Sequence, residues 1–137
     1  MTKLLVVYYA DPPDANWDRI VALANPGMSV IVNPSSGPGS AASSKWSLIV
    51  KALQAKGAEV LGYVWTNYGN MTGLGAKNQV NEYATWYGTE GVFFDGYNDV
   101  PSYTGLVAFC RSLGLRIVGN PGTTSDNSQA LDAVITW

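Results

Sequence analysis

Strand-like and helix-like stretches alternate along this chain, and that alternation limits the fold more than any other feature. Leu4–Tyr9 (LLVVYY) is a continuous apolar run, the pattern of a strand buried on both faces. Asp14–Asn25 carries Trp17, Ile20, Val21 and Ala24 at helical spacing and stops at Asn25-Pro26-Gly27. Ser29–Val32 reads as a second strand. Trp46, Ile49, Val50 and Leu53 then form one helical stripe, with Ser43 or Ser44 as its cap and Gly57 at its C-terminal end. Glu59–Val64 is a third strand, followed by a helix from about Leu74 to Tyr87. Gly91–Asp95 is the fourth strand, Pro101–Leu113 a helix and Arg116–Gly119 the fifth strand. A short helical turn near Ser125–Leu131 leads to a sixth, Ala133–Trp137.

Strand starts lie roughly 17 to 32 residues apart. This spacing predicts an α/β fold with a parallel sheet and right-handed crossovers. The chain has 137 residues and no linker or low-complexity tract, which argues for one domain.

Composition removes many mechanisms. The net charge of −2 excludes a basic nucleic-acid binder that works by neutralising phosphates. There is no histidine, hence no Ser-His-Asp triad, no imidazole base and no His-based metal site. The single cysteine, Cys110, lies in an apolar helical run and reads as a buried thiol. No stretch approaches the ~20 apolar residues of a membrane-spanning helix, so no membrane partner is expected. Met1 is followed almost at once by a strand, so no signal peptide is expected. Only 13% of residues are charged, so carboxylates, Tyr, Trp, Asn, Ser and Thr must carry whatever chemistry there is.

Those residues collect just after the strands. The loops there hold Tyr9 and Asp11, then Asn33 to Gly39, then Trp65 to Gly69, then Asp95 to Asp99, then Asn120 to Thr123. The loops at the other end are short and plain. Asn, Pro and Gly are ordinary turn formers, but turn formation does not account for the one-sidedness. In parallel α/β folds the C-terminal strand ends carry the site. None of the loops has the spacing of a phosphate cradle, GxGxxG or GxxxxGK[ST], and no cofactor or metal is expected. An aromatic, weakly charged rim suits a sugar. Tyr and Trp faces cover the apolar faces of the ring, and Asn, Asp and Thr bond the hydroxyls.

Four motifs carry a family resemblance. Ile31-Val32-Asn33-Pro34-Ser35-Ser36-Gly37-Pro38-Gly39, Gly62-Tyr63-Val64-Trp65-Thr66-Asn67-Tyr68-Gly69, Gly91-Val92-Phe93-Phe94-Asp95 and Asn120-Pro121-Gly122-Thr123 together resemble the spherulin-4-like family. The resemblance implies a (β/α)8, TIM-type barrel. It also implies glycoside hydrolase chemistry on galactosaminogalactan-type polymers, in secreted proteins of fungi and bacteria. The implied catalytic pair is an Asp ending strand four and a Glu after strand six. Asp95 matches the first. The residue beside it, usually Glu in the family, is Gly96 here. The glutamate after the segment resembling Val134-Ile135-Thr136-Trp137 is absent from these 137 residues.

Hydrolysis of the ordinary kind needs two carboxyl groups, roughly 5 to 9 Å apart. Asp11 and Asp99 lie at the same strand ends and can substitute, although as turn or capping residues they need no catalytic role. An eight-stranded barrel typically takes ~250 residues, so the expected architecture is a truncated TIM-type barrel of about six strands. Its open edges can close on themselves, stay open as in a Rossmann-like sheet, or be completed by another copy or chain. Self-association is the favoured expectation, and a terminal Trp137 fits a buried last strand.

The favoured function is recognition of an amino-sugar polysaccharide on a degenerate hydrolase scaffold. The alternatives are an active hydrolase using Asp95 and an assembly protein such as a virion surface component. The candidate glycan-binding residues are Tyr9, Asp11, Asn33, Tyr63, Thr66, Asn67, Tyr68, Asp99, Asn120 and Trp137, with Asp95 as the candidate catalytic residue. The sequence leaves the location open: the family resemblance implies an extracellular one, and the assembly alternative a virion surface.

Overall fold

Six parallel strands lie side by side in chain order. They are β1 (Leu4–Val7), β2 (Met28–Val32), β3 (Glu59–Trp65), β4 (Gly91–Asp95), β5 (Arg116–Asn120) and β6 (Ala133–Val134). Four α-helices connect them: α1 (Ala15–Leu23), α2 (Ser44–Ala55), α3 (Leu74–Glu82) and α4 (Thr104–Ser112). This computed structural model describes residues 3–122 and 131–134. Thr123, the expected turn from Ser125 up to Leu131, and Ile135 to Trp137 lie outside the described residues.

Sequential strand order has a direct consequence. Parallel neighbours in sequential order take right-handed crossovers that advance in one direction, and the four described helices land on one face. A Rossmann-like sheet reverses its order at a switch point, and no reversal occurs here. The sheet instead curls into an open part-barrel with the helices on its convex side.

Register sorts the side chains onto two faces. Val30, Val32, Val60, Val64, Val92, Phe94 and Ile117 point outward and pack on Trp17, Trp46, Val50, Leu53, Val80, Leu106 and Cys110 of the helices. Ile31, Leu61, Tyr63, Phe93 and Val118 form a second cluster on the concave face, with Leu5, Trp65 and Ala133 against it. Ile31 and Leu61 are fully buried there, so the curl alone dries the middle of the concave face. Burial of each such side chain is worth about 1.5–3 kcal/mol.

The helices form largely where the spacing predicts them, and their ends show local chemistry. Asp14 caps α1, accepting the Asn16 N–H at 2.8 Å. Ser43 occupies the cap position of α2 but makes no side-chain cap bond. Its own N–H instead donates to the Tyr87 hydroxyl at 2.9 Å. The helix expected to run to Tyr87 is α-helical only to Glu82, and Tyr83–Tyr87 is a π turn. The wider turn lets the Tyr83 ring lie flat on β3. A Cβ at Gly62 would come within 2.3 Å of that ring.

One expectation fails at β1. Its run of apolar residues suggested a strand buried on both faces, yet Leu4 is 65% and Val7 55% exposed. The strand also ends at Val7, not Tyr9. β1 is the edge of the sheet and pairs only with β2, so it receives cover from one side.

The floor of the concave face is a polar knot. Glu59 accepts from Lys3 Nζ at 3.1 Å, Ser29 Oγ at 2.9 Å and Arg116 NH1 at 2.6 Å. Burial pushes the Glu59 carboxyl up, but these three donors and the Arg116 charge outweigh it and hold the group below its ordinary value. The knot plugs the end of the part-barrel opposite the long loops.

Candidate functional site

At the C-terminal ends of β3, β4 and β5, three polar groups meet on the concave face. Trp65 pairs with Asp95, and Asp95 with Asn120, across neighbouring strands. Tyr63 stands two residues before Trp65, hence on the same face. Its hydroxyl donates to Asp95 Oδ2 at 2.8 Å, and Asn120 Nδ2 donates to Asp95 Oδ1 at 2.9 Å. Asn120 is itself held, because its Oδ1 accepts the Gly122 N–H at 3.1 Å. Each carboxylate oxygen thus has one fixed donor. A carboxylate offers about four lone-pair sites, which leaves roughly half of its accepting capacity for a ligand's hydroxyls.

Aromatic rings wall this carboxylate. Tyr9 meets Tyr63 edge-on at 5.6 Å, and Tyr63 lies 6.2 Å from Phe93. Tyr68 meets Trp65 edge-on at 5.9 Å. Burial and then the Asp95 hydrogen bond and charge push the Tyr63 hydroxyl above its ordinary range, so it remains a donor. Burial and the same charge push Tyr9 up to about 12. Both phenols are therefore neutral at physiological pH and present ring surface with a donor tip.

The loop after β3 is held in an unusual shape. Asn67 and Tyr68 have φ of +46° and +53°, a left-handed conformation that costs non-glycine residues energy. Ser36, in the loop after β2, is the other non-glycine residue of this kind among the described residues. All three lie at the same end of the sheet as Asp95, where strain that persists is commonly tied to function.

The remaining candidates divide. Tyr9 and Tyr68 are about half-exposed beside the carboxylate and accessible to a ligand. Thr66 is buried behind it, its hydroxyl bonded to the carbonyls of Asp95 at 3.0 Å and Gly96 at 3.2 Å, and paired with the Tyr103 hydroxyl at 2.6 Å. It positions the strand end and faces no ligand. Asn33 accepts the Gly37 N–H at 2.9 Å and shapes its own loop. Asn67 supports the Asn70 amide through its carbonyl. Asp11 is drawn to α2, accepting from Trp46 Nε1 at 3.1 Å with Lys45 Nζ at 3.8 Å. Asp99 accepts from the Tyr97 hydroxyl at 3.5 Å. Neither Asp11 nor Asp99 is bonded into the Tyr63–Asp95–Asn120 group, and Trp137 lies outside the described residues.

Gly96 acquires a physical reason. Its φ is +64°, and a Cβ there would lie 2.6 Å from Trp65 Cζ3. The indole fills the space that a side chain at 96 would need. Trp65 was not among the expected binding residues. Its position two residues beyond Tyr63 on one strand is the signal that finds it. Among the described residues no group of three or more His, Cys, Asp or Glu could hold a metal ion.

Comparisons with known proteins agree with the fold. The chain resembles the crystal structure of the Bacillus cereus spore cortex-lytic enzyme SleL, with a TM-score of 0.54 and 11% identity, over 87% of this chain and 34% of that one. At that identity the likeness concerns the fold alone. It is 32% identical over 134 residues to spherulin-4 of Physarum polycephalum, covering 90% of this chain and 40% of that protein. The chain thus spans well under half the length of the relatives it matches. Spherulation-specific family 4 matches residues 3–136. The chain belongs to the spherulin-4 family.

Proposed function

We propose that this chain binds a polysaccharide of the amino-sugar type at the Asp95 end of the part-barrel and does not cleave it. One observation carries the reading. Asp95 is clamped by Tyr63 and Asn120 inside an aromatic wall, while the adjacent position, Gly96, is closed to any side chain by Trp65. The groups bonded to Asp95 are a phenol and an amide. They orient a carboxylate to accept hydroxyls. The second carboxyl that glycoside hydrolysis requires does not come from position 96, and Asp11 and Asp99 are bonded elsewhere.

Self-association belongs to the same reading. The β1 edge exposes Leu4 and Val7, and an uncovered edge strand recruits another strand. For the 137-residue chain we expect a sedimentation mass above 14.6 kDa.

The test pairs calorimetric titration with galactosaminogalactan fragments and an assay for released reducing ends. Binding without release is expected. Release that Asp95→Asn abolishes would replace this reading with an active hydrolase. Failure to bind any sugar on a glycan array would leave an assembly role, such as a virion surface component, as the better reading.

A further inference from the structure

We propose that the cleft beside Trp65 is a second saccharide subsite, which extends the Asp95 site by one ring toward α3 and the loop after β2. The proposal rests on the glycan-binding reading above and specifies its reach. The cleft has a volume of about 210 Å³ and is lined by Trp65, Met71, Gly73, Gly75, Ala76 and Gln79. None of these side chains ionises. Trp65 pairs with Asp95 in the sheet, so a ring seated here is the immediate neighbour of one held at Asp95.

The lining is shaped to receive a ring. Cβ atoms at Gly73 and Gly75 would meet nothing within 4 Å, so the absence of side chains there serves open space and not packing. Met71, in the lining, is 48% exposed. Indole, thioether and bare backbone suit the apolar face of a pyranose.

Gln79 adds an independent observation. Its Oε1 is buried and has no hydrogen-bond partner. Buried acceptors are nearly always satisfied, and an exception calls for an explanation. The same side chain also lines a second cleft of about 340 Å³, bounded by Ser35, Ser36 and Ser40. Gln79 therefore stands at the junction of an apolar cleft and a hydroxyl-lined one. A sugar hydroxyl at that junction supplies the missing donor once the amide turns toward it.

The experiment titrates the chain with a galactosaminogalactan disaccharide and a longer oligosaccharide. The wild type gains affinity with length. In Gln79→Ala the disaccharide affinity holds and the longer ligand weakens about fivefold. Its melting temperature stays level or rises, because an unmet acceptor is removed. Trp65→Ala loses the length gain more strongly, about tenfold. If both variants keep the wild-type gain while Asp95→Asn weakens both ligands, the subsite is refuted and the glycan-binding reading stands. A wild-type chain that binds neither ligand overturns both.

Discussion

Gly96 stands beside Asp95 where the family resemblance leads one to expect a glutamate, and its substitution can be worked through in numbers. Gly96→Ala places a Cβ on a backbone with φ +64°, 2.6 Å and 2.8 Å from two carbons of the Trp65 ring. The left-handed conformation costs a non-glycine residue about 1–2 kcal/mol. Crowding the indole adds about 1–3 kcal/mol, since the ring must leave its rotamer or the strand end must shift. The total is about 2–5 kcal/mol, a large share of the ~5–15 kcal/mol that keeps a domain folded. At ~4 °C per kcal/mol for a chain of this size, the melting temperature falls by about 8–20 °C.

A double-mutant cycle separates the two parts. In a Trp65→Ala background the clash is gone and only the backbone cost remains. The coupling between positions 65 and 96 should therefore be about 1–3 kcal/mol. Urea unfolding followed by circular dichroism measures all four corners. A Gly96→Ala variant within ~0.5 kcal/mol of wild type would refute the argument. So would an equal cost in both backgrounds. Either result would mean that position 96 has room for a side chain, and with it the case against a neighbouring glutamate would fall.

Further predictions follow from the two polar groups of the concave face and from the core. Asn120→Asp puts a second carboxylate where an amide now donates to Asp95 at 2.9 Å. Like charges at that separation repel, so the variant should lose about 1–3 kcal/mol at neutral pH and recover part of it as acid neutralises the pair. Equal destabilisation at pH 7 and pH 4 would contradict this. Glu59 is held below its ordinary value in the fold, so its stabilisation is complete above the unfolded value of ~4.3 and is lost as pH falls through the folded one. Glu59→Gln should therefore be less stable than wild type at neutral pH, with the difference narrowing in acid unfolding curves. Burial pushes the Cys110 thiol up to about 12, and its side chain is fully buried. An aromatic disulfide reagent should label it only at the rate of unfolding, and fast labelling of the native chain would disprove the packing of α4.

The alternation of strands and helices was legible in the sequence because periodicity is local. A stripe such as Trp46, Val50 and Leu53, or an apolar run such as Gly91–Phe94, declares itself within a few residues. The long-loop end of the sheet was legible for the same reason, since parallel order sends every βα loop to one side. The place of Asp95 at the end of β4 was therefore legible from the sequence. Tyr63 and Asn120 were expected at the same end, but their bonds to Asp95 were not legible. Tyr63 lies 32 positions away and Asn120 lies 25 positions away, and only the register of β3, β4 and β5 brings them together. The same register put Thr66 behind the strand end. Packing of the loop after β1 against α2 turned Asp11 away from the site. The exposed β1 shows the limit most plainly, because an apolar run records an affinity for burial, whereas its place at the edge of the sheet decides how much burial it receives. Gly96 stood in the sequence as a missing carboxylate. Only the tertiary structure showed an indole in its place, because no local pattern records that two residues 31 positions apart compete for one volume.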